Sequence, residues 1–199
     1  NGGVFIADEV QPGFARTGQA FFGFARHGIV PDMITMGKPM GNGIPISGLA
    51  AKEDVLAAFS DKLPYFNTFG GNPVSIAAAQ AVLKYIKDEN LQEHCKKAGA
   101  ALLKALKEVQ ERHPESVGDV RGAGLFLGFE FVKNDGNKTP DKDMALNVIE
   151  MLRDEHILTS VIGHYGNILK LRPPMVFSEN DIDWFATSLD KCITKLENK

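Results

Sequence analysis

A lysine framed by glycine, methionine and proline is the first residue in this chain whose setting suggests chemistry. Lys38 lies in Pro31-Asp32-Met33-Ile34-Thr35-Met36-Gly37-Lys38-Pro39-Met40-Gly41-Asn42-Gly43. Residues 33–36 read as a short buried strand, and the Gly/Pro cluster after it as a tight loop. An ammonium at the end of a buried strand needs a partner or a means of neutralisation. A desolvated lysine becomes a good nucleophile and forms a Schiff base with an aldehyde cofactor. The plain alternative is a surface lysine whose stem lies along the strand end.

Three further residues have suggestive settings. Asp8 follows Val4-Phe5-Ile6-Ala7, so its carboxylate emerges from an apolar strand and calls for a cationic or hydrogen-bonding partner. It either caps a neighbouring loop or holds a ring nitrogen protonated. Thr68, with Gly70, Gly71 and Asn72, precedes a helix start at Pro73. Free N–H groups, a helix dipole and a hydroxyl suit a phosphate, although a simple helix cap with glycines for the turn uses the same residues. Arg172, in Leu171-Arg172-Pro173-Pro174, offers a fork for a carboxylate or for a structural salt bridge. A Schiff-base lysine, an acid for a pyridine nitrogen, a phosphate-binding helix start and a carboxylate-binding arginine together fit pyridoxal 5′-phosphate (PLP) acting on an amino acid.

Elements must carry these groups to one place. The pattern predicts strands at Val4–Val10, residues 33–36 and Ile46–Ala51, then a short helix at Lys52–Phe59. Strand, crossover, strand points to a mostly parallel α/β sheet, whose ligands bind beyond the C-terminal strand ends. Asp8 and Lys38 both fall there. Helices follow at Val74–Lys87 and Leu91–Arg112. After them come strands at Val117–Arg121, Leu125–Val132, Ile157–Val161 and Ile168–Leu171, with a helix at Asp143–Glu155. Ser178 to Asp181 resembles a capping box opening a last helix to Leu196. The change of texture near residue 90 predicts two domains: 1–90, part of a cofactor-binding α/β domain, and 91–199, a small α+β domain.

Composition narrows the partners. The chain has 199 residues, 44% hydrophobic and 24% charged, with a net charge of -3. Nothing basic enough for nucleic acid is present, and no apolar run is long enough for a bilayer. The two cysteines, Cys95 and Cys192, fall in helical patterns, against a disulfide framework. The five histidines lack ligand spacing, so no metal is expected. Phe21-Phe22-Gly23-Phe24 reads as core or subunit contact. The start, Asn1-Gly2-Gly3, enters a strand directly. It reads as an interior cut, which leaves targeting open; the cytoplasm is the expected compartment.

Three stretches, in order, resemble the class III PLP-dependent aminotransferases: Asp8-Glu9-Val10-Gln11-Pro12-Gly13-Phe14-Ala15-Arg16-Thr17-Gly18, Pro31 to Gly43, and Phe66-Asn67-Thr68-Phe69-Gly70-Gly71-Asn72-Pro73. The resemblance continues to Leu171-Arg172-Pro173-Pro174. It is nearest to the branch holding alanine–glyoxylate aminotransferase 2 and the ethanolamine-phosphate phospho-lyases. It implies fold type I (aspartate aminotransferase-like), with this chain as part of the large domain plus the small C-terminal domain. It implies Lys38 as Schiff-base lysine and proton shuttle, Asp8 on the pyridine nitrogen, Val10 against the ring, and Gln11 near its phenolic oxygen. It further implies that Thr68 reaches the phosphate of a neighbouring subunit in a homodimer with shared sites, and that Arg172 binds the substrate carboxylate. The substrates would be an amino donor and a 2-oxo acid acceptor. Rival readings are a phospho-lyase using the same Lys38 and Asp8, with a second cationic pocket for phosphate expected in the family's N-terminal half, outside these residues, and a catalytically inert fragment. Ala15 departs from the family's usual glycine.

Overall fold

The computed structural model describes residues 2–198. The chain divides between Glu93 and His94 into two compact units.

The first unit carries a three-stranded sheet in the order β1 (Ile6–Asp8), β2 (Met33–Met36), β3 (Gly48–Ala51). β1 and β2 are parallel, with Asp8 opposite Thr35. β3 runs antiparallel to β2, Met36 opposite Gly48. The third strand therefore departs from a purely parallel continuation. The connection between β2 and β3 holds only a 3-10 turn, Lys38–Met40, and lacks the helical crossover that a parallel return needs. Asp32 clamps the opposite end of this sheet. Its carboxylate accepts from the Phe5 amide (2.8 Å) and the Lys52 ammonium (2.7 Å), and its carbonyl accepts from the Lys52 amide (2.9 Å). The helices are α1 (Glu53–Ser60) and α2 (Pro73–Asp88). Asn72 caps α2, accepting from the amides of Val74 and Ser75, and Pro73 takes the first helical position.

Alternation governs β1: Ala7 is buried, Ile6 and Asp8 exposed; Glu9, just past its end, is buried. The strands expected to be buried are half exposed in this chain. Buried apolar residues of this unit are few: Ala7, Phe14, Ala15, Ile86 and Leu91. Phe66 and Phe69, 85% and 80% exposed, typify its surface.

The second unit builds a four-stranded antiparallel sheet in the order β4 (Val117–Ala123), β5 (Phe126–Phe131), β7 (Ile168–Leu171), β6 (Ser160–Ile162). Leu127, Phe129 and Phe131 alternate inward on β5. They share one core with Leu102, Leu106 and Val109 of α3 (Leu91–Arg112), Val148 and Leu152 of α4 (Lys142–Asp154), and Leu189 and Ile193 of α5 (Glu179–Glu197). The 3.6-residue period of each helix puts those positions on one face. A Cβ on Gly99 of α3 would lie 2.3 Å from the Gly124 backbone, so helix and β4–β5 turn meet main chain to main chain. Ser178 and Asp181 form the capping box of α5. At the other end of α5, the buried His113 lies between Glu197 (Nδ1 to Oε2, 2.7 Å) and Asp190 (Nε2 to Oδ1, 3.1 Å). Arg112 also donates to Asp190, at 2.7 Å. Burial pushes the Asp190 carboxyl up, but the hydrogen bonds from Arg112 and His113 outweigh it, and its pKa falls below the ordinary value.

Candidate active site

Parallel pairing of β1 and β2 brings two C-terminal ends side by side. Asp8 closes β1. Its Oδ1 accepts from the Val10 amide at 3.1 Å and the Thr35 hydroxyl at 3.2 Å. No hydrogen bond reaches its second oxygen among the described residues, and Asp8 is exposed. One oxygen is thus fixed and the other is open to a donor such as a protonated ring nitrogen. Val10 stands beside Gly37: a Cβ built on Gly37 would be 4.0 Å from Val10 Cγ2.

Lys38 comes next and begins the 3-10 turn. Its φ is +38°, in the left-handed region that a residue with a Cβ rarely occupies. Backbone strain of this kind costs on the order of 1–3 kcal/mol and persists where the surroundings enforce it. Two features do so here. A Cβ on Gly41 would fall 2.1 Å from the Ile44 carbonyl oxygen, so only glycine closes the loop as built. The Ser75 hydroxyl of α2 donates to the Pro45 carbonyl at 3.0 Å and ties the loop to a helix. Lys38 is exposed, and no hydrogen bond or ion pair holds it among the described residues. The expectation of a desolvated amine therefore fails in this chain: the half-exposed sheet leaves the lysine in solvent. Its placement follows from strand end and strained turn instead.

Gln11 is exposed, in the loop after Val10. Thr68 is exposed in the turn preceding α2. The N–H groups expected there to be free are partly engaged, because Asn72 takes those of Val74 and Ser75 and Asn67 takes those of Phe69 and Gly70. A hollow of about 630 Å³ is lined by Thr35, Ser47, Tyr65, Asn67, Gly70 and other residues of this unit. Thr35 joins its wall to the Asp8 carboxylate.

Arg172 belongs to the second unit and follows β7. Its Nη1 donates to the carbonyls of Leu127 (2.7 Å) and Leu171 (2.8 Å), and its guanidinium lies 3.3 Å above the Phe126 ring centroid. It lines a cavity of about 450 Å³ together with Lys170, Thr159 and Ser160.

Sequence reasoning passed over Thr35, Lys170 and Glu9. Thr35 was legible as the strand residue three before the lysine. Lys170 was legible as the cation two before Arg172 on an alternating strand. Ala15, the departure from the family pattern, has φ +67° and is fully buried, a conformation that glycine adopts without strain.

The residues fit the cofactor expected from sequence: a half-satisfied carboxylate, an apolar side chain and a lysine stand at adjacent strand ends. The fold is that of the fold-type-I PLP transferases. A phospholyase from Arthrobacter in complex with phosphoethanolamine superposes with a TM-score of 0.93 at 39% identity, over 97% of this chain and 46% of that one. A Bacillus anthracis aminotransferase does so at 0.88 and 36%, over 96% and 45%. The chain belongs to the class III aminotransferase family, whose model matches residues 1–193. Curated relatives include an ethanolamine-phosphate phospho-lyase homolog of Caenorhabditis elegans, 44% identical over 98% of this chain and 42% of its own length. An alanine–glyoxylate aminotransferase 2 homolog of Arabidopsis thaliana, named as mitochondrial, is 41% identical over 98% and 40%. The chain thus spans about 40% of the length of these relatives. No helix among the described residues is long and apolar enough to cross a membrane.

Proposed function

We propose that this chain supplies the lysine and the ring-nitrogen acid of a PLP-dependent aminotransferase. The observation that carries the reading is the pairing of Asp8, half satisfied at the end of β1, with the strained Lys38 just beyond the end of the parallel β2. PLP, when bound, supplies an aldehyde for an amine and an electron-withdrawing ring that acidifies the adjacent Cα–H. Lys38 is the amine that would hold such an aldehyde, and as a free amine it would be the base for the substrate Cα proton and the acid that returns it. Asp8 would accept from the pyridine nitrogen and keep it protonated, Val10 would pack on the ring, and Gln11 would bond beside its phenolic oxygen. Thr68 serves the phosphate of a partner subunit in a homodimer, and Arg172 receives the substrate carboxylate. The first unit is then the C-terminal part of the cofactor domain, and the second is the small domain.

A second reading is elimination of phosphate from a phosphorylated amine, with the same Lys38 and Asp8. Two observations favour it: the likeness to a phospholyase and to a phospho-lyase homolog, and the two cations, Lys170 and Arg172, in one cavity. A dianionic group suits two cations better than one.

Borohydride reduction with PLP followed by peptide mapping tests the shared chemistry. A pyridoxyl adduct on the peptide carrying Lys38 is expected, and its absence from the folded protein overturns both readings. A panel of amino donors with a 2-oxo acid, run beside a phosphate-release assay on phosphoethanolamine, separates them. Keto product without phosphate supports transfer; phosphate release that falls in Lys170→Met supports elimination.

A further inference from the structure

Glu9 is buried beside the candidate site, and the chemistry proposed above does not use it. It is 2% exposed, and its carboxylate is held by main-chain amides. Its two oxygens each accept one main-chain donor: Oε2 from the Gly23 amide at 2.7 Å and Oε1 from the Phe24 amide at 2.8 Å. Its own main chain is engaged as well. The Glu9 amide donates to the Thr35 carbonyl at 3.0 Å, and the Glu9 carbonyl accepts from the Gly13 amide at 3.1 Å. The loop closes on this residue without space for side chains. A Cβ on Gly13 would be 2.6 Å from the Glu9 carbonyl oxygen, and one on Gly23 would be 2.7 Å from Pro12 Cβ and 3.3 Å from Glu9 Oε2. Phe14, Phe21 and Phe22 pack against one another along the same loop, at 5.0–6.4 Å between centroids.

A buried carboxylate with no counter-ion is costly unless each oxygen is satisfied. Packing alone would be better served there by an apolar side chain. The position has a geometric consequence. Just past the end of β1 Glu9 is buried, while its neighbour Asp8 is exposed and Val10 half-buried. Thr35 then meets both sides of the strand end: its carbonyl receives the Glu9 amide, and its hydroxyl donates to Asp8 Oδ1. Glu9 and Asp8 thus share Thr35 as a partner, on its carbonyl and its hydroxyl.

We propose that Glu9 is a positioning residue: its buried carboxylate, gripped by the Gly23 and Phe24 amides, sets Asp8 against Thr35 and Val10 against the Gly37–Lys38 turn. The inference rests on the reading of Asp8 as the ring-nitrogen acid, and it deepens that reading.

The experiment uses the full chain with three variants. Glu9→Gln turns one acceptor into a donor that faces an amide N–H. Glu9→Asp keeps the charge but shortens the reach by one methylene. Phe21→Leu loosens the same loop without touching the acceptor. In the cofactor-free protein, NMR follows the Val10 amide and the Asp8 side-chain carboxyl carbon, and amide exchange follows Gly23 and Phe24. PLP affinity is measured beside them. Glu9→Gln is expected to speed exchange at Gly23 and Phe24 by about tenfold or more, as loss of one buried hydrogen bond implies. It is also expected to move the Val10 and Asp8 signals and to weaken PLP by about tenfold. Phe21→Leu is expected to speed loop exchange and leave Val10 and Asp8 in place. If Glu9→Gln frees Gly23 and Phe24 while the Val10 and Asp8 signals stay at their parent positions, Glu9 is only a loop brace and the proposal falls. Should Glu9→Gln not fold, Glu9→Asp is read by the same criteria. Failure of the parent chain to label at Lys38 would sink the PLP reading instead, and the cofactor-free signals distinguish the two failures.

Discussion

Lys38 and Gly41 show how a single turn fixes the lysine proposed to carry the cofactor. Lys38 adopts positive φ because the loop behind it has one way to close, and Gly41 is the residue that permits it. Gly41→Ala would drive a methyl into the Ile44 carbonyl. It is expected to destabilise the first unit by about 1–3 kcal/mol and to reduce borohydride-trapped PLP at Lys38, both readable on one purified variant by denaturant titration and peptide mapping. Asp32 carries the clearest pH signature. The Lys52 hydrogen bond, then the Phe5 amide, hold its carboxyl below the ordinary value, and Asp32 in turn raises the Lys52 ammonium. A depressed folded-state pKa stabilises above the unfolded value of about 3.9 and is lost as pH falls through the lower folded value. The Phe5 amide resonance should therefore titrate with a midpoint below 3.9, the ordinary Asp value, and the transition should vanish in Asp32→Asn. The strand-end positions of Asp8 and Lys38 were legible because residue type and position in a strand are local properties. The burial of Glu9 and its partners was not, since its donors arrive from residues 23 and 24 and nothing local marks them.

Among elements, helices were the legible part. The helix at Leu91–Arg112 has the expected bounds, and α4 and α5 fall within a residue of theirs, because period and caps are written in neighbouring residues. The capping box at Ser178 is one such signal. Ser178→Ala is expected to lower the stability of the second unit by about 1 kcal/mol, measured by urea unfolding. Strand ends and direction were less legible. β1 is shorter than Val4–Val10, and the Ile157–Val161 expectation shifts to Ser160–Ile162. The antiparallel course of β3 depends on how far a connection reaches, which periodicity does not encode. The contact of α3 with the β4–β5 turn was equally hidden, because it depends on Gly99 meeting Gly124 in space. Gly99→Ala should separate helix from turn and destabilise that unit by about 1–3 kcal/mol.

At the scale of the molecule, the two units differ in how much they bury. One core holds all the helices and most strands of the second unit, whereas the first keeps most of its large apolar side chains in solvent. Limited proteolysis is expected to cut between residues 2 and 93 while the fragment from His94 onward persists; the reverse order would contradict this assignment of stability. Added PLP should slow the first cuts if the Lys38 reading holds, since a ligand bound only by the native state protects it.

The strand order of the second unit has a consequence during synthesis. β5 must wait for β7, whose residues emerge about forty positions later, and β6 pairs with β7 alone. The core is closed by Ile182, Phe185, Leu189 and Ile193 of α5. On a translating ribosome the core around the β4–β5 hairpin would therefore stay open on its α5 side until α5 had left the exit tunnel. Local helices do not shorten that interval, because the missing contacts are distant in sequence. The vulnerable period of this unit lies between the synthesis of β5 and that of α5, when a chaperone that shields apolar strands would have the most to protect.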